Sequence, residues 1–227
     1  MQGAGKLPGI GAVSPLPARM GRMDIGLASR IPRWIGYLWL VWAVSWWLLA
    51  MWRKPVERRG SGNYEVGHRV LLVAGAILFF RPWWLGAWAQ RRFLDPSPAL
   101  LWAALAAVLA GFALCYWARF TLGGNWSARI VLKQEHELIR RGPYARIRHP
   151  IYTGILLAVA GTLAANGTWG GAVGAVLVFI ALYIKSQGEE RLLAPVFGDR
   201  FAEHLRQTGR FLPKLRRSAA GGAAVAD

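Results

Sequence analysis

The chain contains little cysteine and little acid. Its 227 residues include a single cysteine, Cys115, so an internal disulfide and a cysteine-based metal site are both excluded. Cys115 lies inside an apolar run, which predicts a small buried side chain. Acidic residues number only 11 against 28 lysines and arginines, a net charge of +17. No set of His, Asp and Glu has the spacing of a metal site, so we expect no bound metal.

Apolar residues, in contrast, make up 55% of the chain, and 13 residues are Trp. Tryptophan is enriched where a membrane meets water. A basic excess is also typical of nucleic-acid-binding proteins. Here, however, the Lys and Arg residues fall between long apolar runs, as they do in loops beside anionic lipid. The sequence therefore predicts an integral membrane protein that contacts membrane lipids and no nucleic acid.

The two ends of the chain differ from its centre. Residues 1–30 are rich in Gly, Pro and Ala and contain no apolar run long enough for a signal peptide. We expect this segment to be disordered, with Met20 or Met23 as alternative starts. Residues 31–213 are predicted to form one transmembrane domain, and residues 214–227 a disordered tail.

A helix needs roughly 20 apolar residues to cross a bilayer. Five segments approach that length: 34–52, 70–88, 99–117, 151–165 and 169–184. The predicted fold class is an all-α integral membrane protein. It has about five transmembrane helices, a cofactor-binding segment between the third and fourth, and a helical C-terminal tail.

Local signals refine these boundaries. Arg81-Pro82 interrupts the second segment, and a helix that ends near Phe80 would leave Arg81 at the interface, where its long side chain can reach water. Pro150 suits the first turn of the fourth helix. Asn166-Gly167-Thr168 predicts a tight turn, so the fourth and fifth helices form an antiparallel hairpin. The small residues Gly154, Ala158, Gly161 and Ala165 share one face and predict close packing within that hairpin.

The distribution of Lys and Arg predicts orientation. Basic residues, among them Arg119 and Arg210, cluster between the third and fourth helices, after the fifth, and between the first and second. We therefore expect the segment between helices three and four and the C-terminus to be cytoplasmic, although Arg22, Arg30 and Arg33 argue weakly for the reverse. The Ala-, Gly-, Arg- and Trp-rich composition suggests a bacterial inner membrane.

Two polar groups stand out in this apolar chain. Arg148-His149 precedes Pro150, and because a residue before proline prefers extended backbone, His149 should lie just outside the fourth helix. The free N–H groups of that helix would suit a carboxylate or phosphate. Glu189 and Glu190 follow the fifth helix, and the hairpin brings them to the same end as His149. Since adjacent helical residues point about 100° apart, we expect only one of the two to face a site.

The polar motifs resemble a known family. The pattern combines Gly142-Pro143-Tyr144, Arg148-His149-Pro150-x-Tyr152-x-Gly154 and Glu189-Glu190-x-x-Leu193-x-x-x-Phe197-Gly198. Over about residues 120–213 it is similar to the isoprenylcysteine carboxyl methyltransferases and their bacterial phospholipid methyltransferase relatives. His136-x-Leu138 and Leu122-Gly123 strengthen the resemblance.

The resemblance implies S-adenosylmethionine as the methyl donor and a lipophilic small molecule or prenylated substrate as the acceptor. It implies a cofactor-binding role for His136, Leu138, Gly142, Tyr144, His149 and Glu189. Arg148, Tyr152 and Glu190 are the corresponding catalytic candidates. Phe201 and His204 occupy positions where the family usually has tyrosine, so any hydroxyl role there is lost.

Each candidate also has a purely structural interpretation. His149 could cap the fourth helix, Arg148 could anchor lipid headgroups, and the two tyrosines could belong to an interfacial aromatic belt. Glu189 and Glu190 could pair with Lys185 or Arg191. His68 and His204 have no motif support and are interpreted as structural.

Several functions remain open at this stage. The acceptor could be a carboxylate, a phospholipid amine or a small thiol. A nicotinamide-dependent membrane reductase of similar architecture is the enzymatic rival, and a scaffold or transporter is the non-enzymatic one.

Overall fold

A computed structural model describes residues 26–51, 56–59, 62–123, 126, 131–133 and 138–214. Helices dominate this part of the chain, as predicted. They are α1 Ile31–Leu49, α2 Gly62–Phe80, the single turn α3 Ala87–Gln90, α4 Pro98–Leu122, α5 Pro150–Asn166 and α6 Trp169–Gln207. Two 3₁₀ turns, Pro82–Leu85 and Gly142–Ala145, and two short strands, β1 Val56–Arg59 and β2 Val131–Lys133, complete the described elements.

The helix boundaries follow from proline and capping residues. α2 ends at Phe80, which confirms the alternative boundary suggested by Arg81-Pro82 and shows that the helix does not reach residue 88. Pro82 has no N–H and restricts Arg81, whose backbone leaves the helical region. Thr168 caps α6 by accepting a hydrogen bond at its hydroxyl from the N–H of Gly171, 3.2 Å away. Gly167, with φ of +62°, makes the tight turn between α5 and α6 that the sequence predicts.

α6 is much longer than its predicted apolar segment. It continues past residue 184 to Gln207, through Pro195 and a break at Gly198, where φ is +49°. This extension confirms a helical C-terminal tail. Its first part is apolar, whereas Lys185, Glu189 and Glu190 lie beyond that apolar part.

Two described helices, α4 and α6, are long and apolar enough to cross a membrane. Val66–Phe80 and α5 are also apolar but shorter. Large apolar side chains cover the outside of the helices, among them Trp47 and Trp117, which are 68% and 58% exposed. So many exposed apolar side chains would be unusual on a surface that faces water. A surface that faces lipid explains them. The count of five spans remains a prediction.

Backbone pairing shows which connections lie at the same end. β1, between α1 and α2, pairs antiparallel with β2, between α4 and α5. The two basic connections therefore share one end of the helices, which agrees with the predicted distribution of charge. Ile147 and Gly209 form a parallel bridge, while Arg92 and Thr168 form an antiparallel one.

The small-residue face of α5 packs against α4, not against α6 as the sequence analysis expected. A Cβ atom added to Gly154 would lie 2.4 Å from the Gly111 carbonyl oxygen and 2.6 Å from the Cys115 Sγ. Such backbone contact leaves room only for glycine. α6 makes its own close contact with α2, through Gly174 and Gly75. The two helices of the hairpin therefore use their small residues to pack against other helices, α5 against α4 and α6 against α2.

Arg119 was expected to be a basic residue of the cytoplasmic segment, but it is buried at the end of α4. Its Nη1 donates to the Gly123 carbonyl at 2.8 Å, and its Nη2 donates to the Leu49 carbonyl at 2.6 Å. The guanidinium also lies over the Trp126 ring, 4.7 Å from its centroid. Arg119 therefore links the C-terminal ends of α1 and α4.

Candidate active site

The start of α5 and the middle of α6 bring five of the predicted residues together. Arg148 and His149 immediately precede α5, Tyr152 lies in its first turn, and Glu189 and Glu190 come from α6. We call these five side chains the polar cluster. The antiparallel arrangement of α5 and α6 produces this meeting, as the hairpin prediction implied.

His149 lies between the two carboxylates. Its Nε2 is 3.1 Å from Glu190 Oε1, and its Nδ1 is 3.5 Å from Glu189 Oε2. The expectation that only one glutamate faces the site is therefore wrong. Two carboxylates pointing in different directions from α6 both reach one imidazole because its nitrogens lie on opposite sides of the ring. The side chain makes no capping hydrogen bond to α5, so the capping interpretation of His149 is also wrong.

Glu190 is held by arginines from two segments. Arg148 Nε donates to its Oε1 at 2.8 Å, and Arg210 Nη2 donates to its Oε2 at 2.7 Å. All three groups are largely buried, which strengthens such charge-assisted hydrogen bonds. Arg148 is thus a partner of Glu190 and not a lipid-headgroup anchor.

Glu189 accepts a hydrogen bond from the Tyr152 hydroxyl at 2.7 Å, and Lys185 Nζ lies 3.9 Å from the same oxygen. The predicted contact with Lys185 is therefore present. The Tyr152 ring stacks on His149, with centroids 5.3 Å apart and planes 2° from parallel. Lys185 Nζ lies 5.4 Å from the centroid of the Tyr152 ring. Tyr152 is buried in this cluster, so the interpretation as a belt aromatic is wrong.

The segment after α6 completes the cluster, and sequence reasoning did not assign it to the site. The N–H groups of Arg148 and His149 donate to the carbonyls of Gly209 and Arg210 at 2.9 and 3.1 Å. Thr153 Oγ1 donates to the Phe211 carbonyl at 2.6 Å, and Arg148 Nη1 donates to the Thr208 carbonyl. Residues 208–212, which we call the tail segment, therefore run along the residues that precede α5. The N–H groups of Arg148 and His149 are engaged by this segment.

The electrostatics of the cluster favour an imidazolium between two carboxylates. Burial opposes the charge on His149, but hydrogen bonds to Glu189 and Glu190 outweigh it and raise the pKa of His149. Burial likewise opposes ionisation of Glu190, yet hydrogen bonds from His149 and Arg148 lower its pKa to about 2. For Glu189, burial is outweighed by the hydrogen bond from His149 and the charge of Lys185, so its pKa is also lowered.

Of the remaining predicted cofactor residues, Tyr144 adjoins the cluster. Tyr144 is buried in the same apolar core as Tyr152, and burial, followed by the charge of Glu189, raises its pKa. Gly142 begins the 3₁₀ turn with φ of +57°, beside Thr121 of α4. Leu138 is half-buried. His136 lies outside the described residues.

The two residues that replace the family's tyrosines are both buried in α6. Phe201 is part of the packed interior. Burial, followed by the charge of Arg140, lowers the pKa of His204 to about 4. His204 is therefore neutral near pH 7, which fits the structural role predicted for it. In the described part of the chain, no group of three or more His, Cys, Asp or Glu side chains could hold a metal ion.

Comparison with known proteins identifies the family. Residues 103–195 match the model of the isoprenylcysteine carboxyl methyltransferase (ICMT) family. This range contains the polar cluster but ends before the tail segment. The cobalt-zinc-cadmium resistance protein CzcN of Cupriavidus metallidurans is 30% identical over 166 residues, covering 69% of this chain and 69% of that protein. The chain belongs to the ICMT family.

Two further relatives match. The methanethiol S-methyltransferase of Pseudomonas deceptionensis is 36% identical over 180 residues, or 77% of this chain and 65% of that protein. The uncharacterized protein YpbQ of Bacillus subtilis is 29% identical over 107 residues, or 47% and 61%. The chain thus spans less than two thirds of the length of these two relatives. The solved structure of the eukaryotic intramembrane Ras methyltransferase ICMT matches with a TM-score of 0.44 and 22% identity, covering 64% of this chain and 52% of that one.

Proposed function

We propose that this protein is an integral membrane methyltransferase that uses S-adenosylmethionine and methylates an acceptor that reaches the site from the membrane. The observation that carries the proposal is the polar cluster, in which His149 is held between Glu189 and Glu190 at one end of an otherwise apolar helical protein. An apolar bundle does not need this arrangement to fold. The family match and a relative named as a methyltransferase support methyl transfer as the reaction class.

The residues present fit the proposed donor. The donor carries a carboxylate, an ammonium and a sulfonium, and the cluster and its surroundings offer both arginines and carboxylates. Tyr144, which packs in the same apolar core as Tyr152, supplies an apolar surface beside them. When bound, the donor would supply an electrophilic methyl group, which passes to the acceptor by in-line attack while the sulfur leaves as the neutral thioether of S-adenosylhomocysteine.

The protein's own residues would act mainly by positioning. His149, fixed at both ring nitrogens, and Tyr152, fixed by its hydroxyl and its stacked ring, are rigid groups that can orient the reactants. Arg148 and Glu190 hold each other in place. Because both carboxylates have lowered pKa values and several donors, they stay ionised at pH 7 and are poor proton acceptors.

The first candidate acceptor is a carboxylate of the isoprenylcysteine type, which the name of the matching family supports. It needs no base, since it is already an anion at pH 7. The lipid-facing surfaces of α1, α2 and α4 are consistent with an apolar acceptor that arrives through the membrane.

A small thiol is the second candidate, and one observation favours it. A relative that is 36% identical over 77% of this chain carries the name methanethiol S-methyltransferase. A thiol reacts as its thiolate, so it would first have to release its proton to water. A phospholipid amine, a nicotinamide-dependent reduction and a non-enzymatic role have no such observation in their favour.

Isothermal titration of S-adenosylhomocysteine into the detergent-purified protein tests the proposal. We expect saturable binding by the wild type and a loss of at least about tenfold in His149→Ala, which removes hydrogen bonds to two buried charges. Arg206→Gln is the control, because exposed Arg206 pairs with Glu203 outside the cluster. A folded wild type that binds NADPH and not S-adenosylhomocysteine would overturn the proposal.

A further inference from the structure

We infer that Arg210, in the tail segment, is a positioning residue that fixes the Glu190 carboxylate and, through it, the His149 imidazole. The inference rests on the proposed function, because it assigns Arg210 a role in holding the site that binds the methyl donor. Neither the family match, which ends at residue 195, nor the motifs include this residue.

The first step is how the tail segment presents Arg210. Its neighbours are tied by backbone hydrogen bonds to the residues before α5: Arg148 N–H to Gly209 O, His149 N–H to Arg210 O, and Gly209 N–H to Arg146 O. The backbone of residue 210 is therefore fixed directly beside His149. Its side chain cannot drift far from the cluster while these bonds persist.

The second step is the path of the side chain along α6. Arg210 Nη1 donates to Ser186 Oγ at 3.0 Å, and Nη2 donates to Glu190 Oε2 at 2.7 Å. Its guanidinium lies over the Tyr183 ring, 4.9 Å from the centroid. Residues 183, 186 and 190 lie on one face of a helix. The planar guanidinium thus has a stacking partner and two acceptors, an arrangement that a lysine ammonium cannot reproduce in full.

The third step is that the two carboxylate oxygens of Glu190 accept hydrogen bonds from different donors. Oε1 accepts from both Arg148 Nε and His149 Nε2, at 2.8 and 3.1 Å, whereas Oε2 accepts from Arg210. A carboxylate held at one oxygen alone can rotate about its terminal torsion, which has a broad profile. Arg210 removes this freedom by holding the other oxygen. His149 then keeps its orientation toward the donor site.

Other titratable and charged groups also lie around Glu190 and His149, and a test must separate Arg210 from them. They are Arg148 before α5, Tyr152 on α5, and Lys185, Glu189 and the neutral His204 on α6. Arg140, from the segment before the 3₁₀ turn, acts on His204. Substitution of Arg210 alone leaves all of these in place. Arg206→Gln removes one positive charge from the same end of α6 without touching Glu190, so it is the matched control.

The experiment compares wild type, Arg210→Gln, Arg210→Lys, Glu190→Gln, the Glu190→Gln/Arg210→Gln double variant and the control. Two quantities are measured: S-adenosylhomocysteine affinity by titration calorimetry, and unfolding temperature from pH 7 to pH 3 without ligand. We expect Arg210→Gln to weaken binding about tenfold, consistent with one lost charge-assisted hydrogen bond. We expect Arg210→Lys to restore part of it, and the double variant to bind no more weakly than Glu190→Gln alone.

The pH series reports on Glu190 directly. Loss of a cation at Oε2 raises the folded pKa of Glu190 toward its ordinary value, so Glu190 contributes less stability at pH 7. The acid-induced fall in unfolding temperature should therefore be smaller and should end at higher pH in Arg210→Gln than in wild type. Three results would overturn the inference. Arg210→Gln could match wild type both in affinity and in its acid-induced fall in unfolding temperature, the two substitutions could have additive effects in the double variant, or Arg210→Gln could fail to fold. If the wild type does not bind S-adenosylhomocysteine, the proposed function fails. The pH dependence of the unfolding temperature still decides whether Arg210 holds Glu190.

Discussion

The imidazole of His149 and the phenol ring of Tyr152 stack 5.3 Å apart, 2° from parallel, at the start of α5. The same two side chains also share a partner, since both contact the Glu189 carboxylate. Each ring therefore restricts the other through a stack and through a common hydrogen-bond acceptor. Residues linked in this way act as a unit, so substitutions within the cluster should not be additive.

Removal of the Tyr152 hydroxyl tests the coupling between Tyr152, His149 and Glu189 and leaves the shape of the side chain at residue 152 almost unchanged. Tyr152→Phe keeps the stacked ring but takes a donor from the partly buried Glu189, at 2.7 Å in the wild type. A hydrogen bond to a charged group is worth about 1.5–3 kcal/mol, so we expect a loss of stability in that range. Tyr152→Ala also loses the ring and should unfold at a lower temperature still. Equal unfolding temperatures for Tyr152→Phe and wild type in detergent would contradict a structural role for the hydroxyl.

Much of the architecture could be predicted from local signals. Proline and glycine positions placed the start of α5, the turn before α6 and the possible end of α2 at Phe80. The hairpin prediction brought His149 and the glutamates to one end. These features depend on residues near one another in sequence, where backbone restrictions act directly.

The errors arose where distant residues meet. The packing of Gly154 on α4, the burial of Arg119 and the contact of both glutamates with His149 all depend on how helices are arranged in space. Arg210 was grouped with the cytoplasmic cations because a charge count does not distinguish an exposed arginine from one that binds a buried carboxylate. In the sequence, only Arg210 followed by Phe211 pointed to an ordered segment after α6.

The raised pKa of His149 predicts a dependence of stability on alkaline pH. An imidazolium whose folded pKa lies above its ordinary value of about 6.5 contributes stability that is fully present below about pH 6.5 and is lost as the pH rises through the folded pKa. Wild type should therefore unfold at progressively lower temperature above neutral pH. His149→Asn should be less stable at pH 6 and should lack this additional decline. Parallel profiles for the two proteins from pH 6 to pH 9 would rule out a charged His149.

The contact between α4 and α5 predicts a strong effect of one added methyl group. In Gly154→Ala the new Cβ would meet the Gly111 carbonyl and Cys115 Sγ, both under 3.0 Å away. Overpacking of this kind typically costs about 1–3 kcal/mol. Gly36→Ala in α1 is the control, because nothing lies within 4 Å of its added Cβ. Alanine there should be neutral or stabilise the helix by about 0.5–1 kcal/mol, and equal unfolding temperatures for the two variants would refute the packing assignment.

Arg148→Lys separates charge from geometry in the cluster. Arg148 reaches Glu190 Oε1 with Nε and the Thr208 carbonyl with Nη1, so one guanidinium links α6 to the tail segment. Lysine keeps the positive charge but offers a single point of attachment and cannot span both acceptors in the same way. We expect weaker S-adenosylhomocysteine binding and faster hydrogen exchange at the amides of residues 208–210. Arg146→Lys, a change at an exposed neighbour, should leave both unchanged. Unaltered exchange in Arg148→Lys would show that backbone hydrogen bonds alone hold the tail segment, and that Arg148 serves only as a charge beside Glu190.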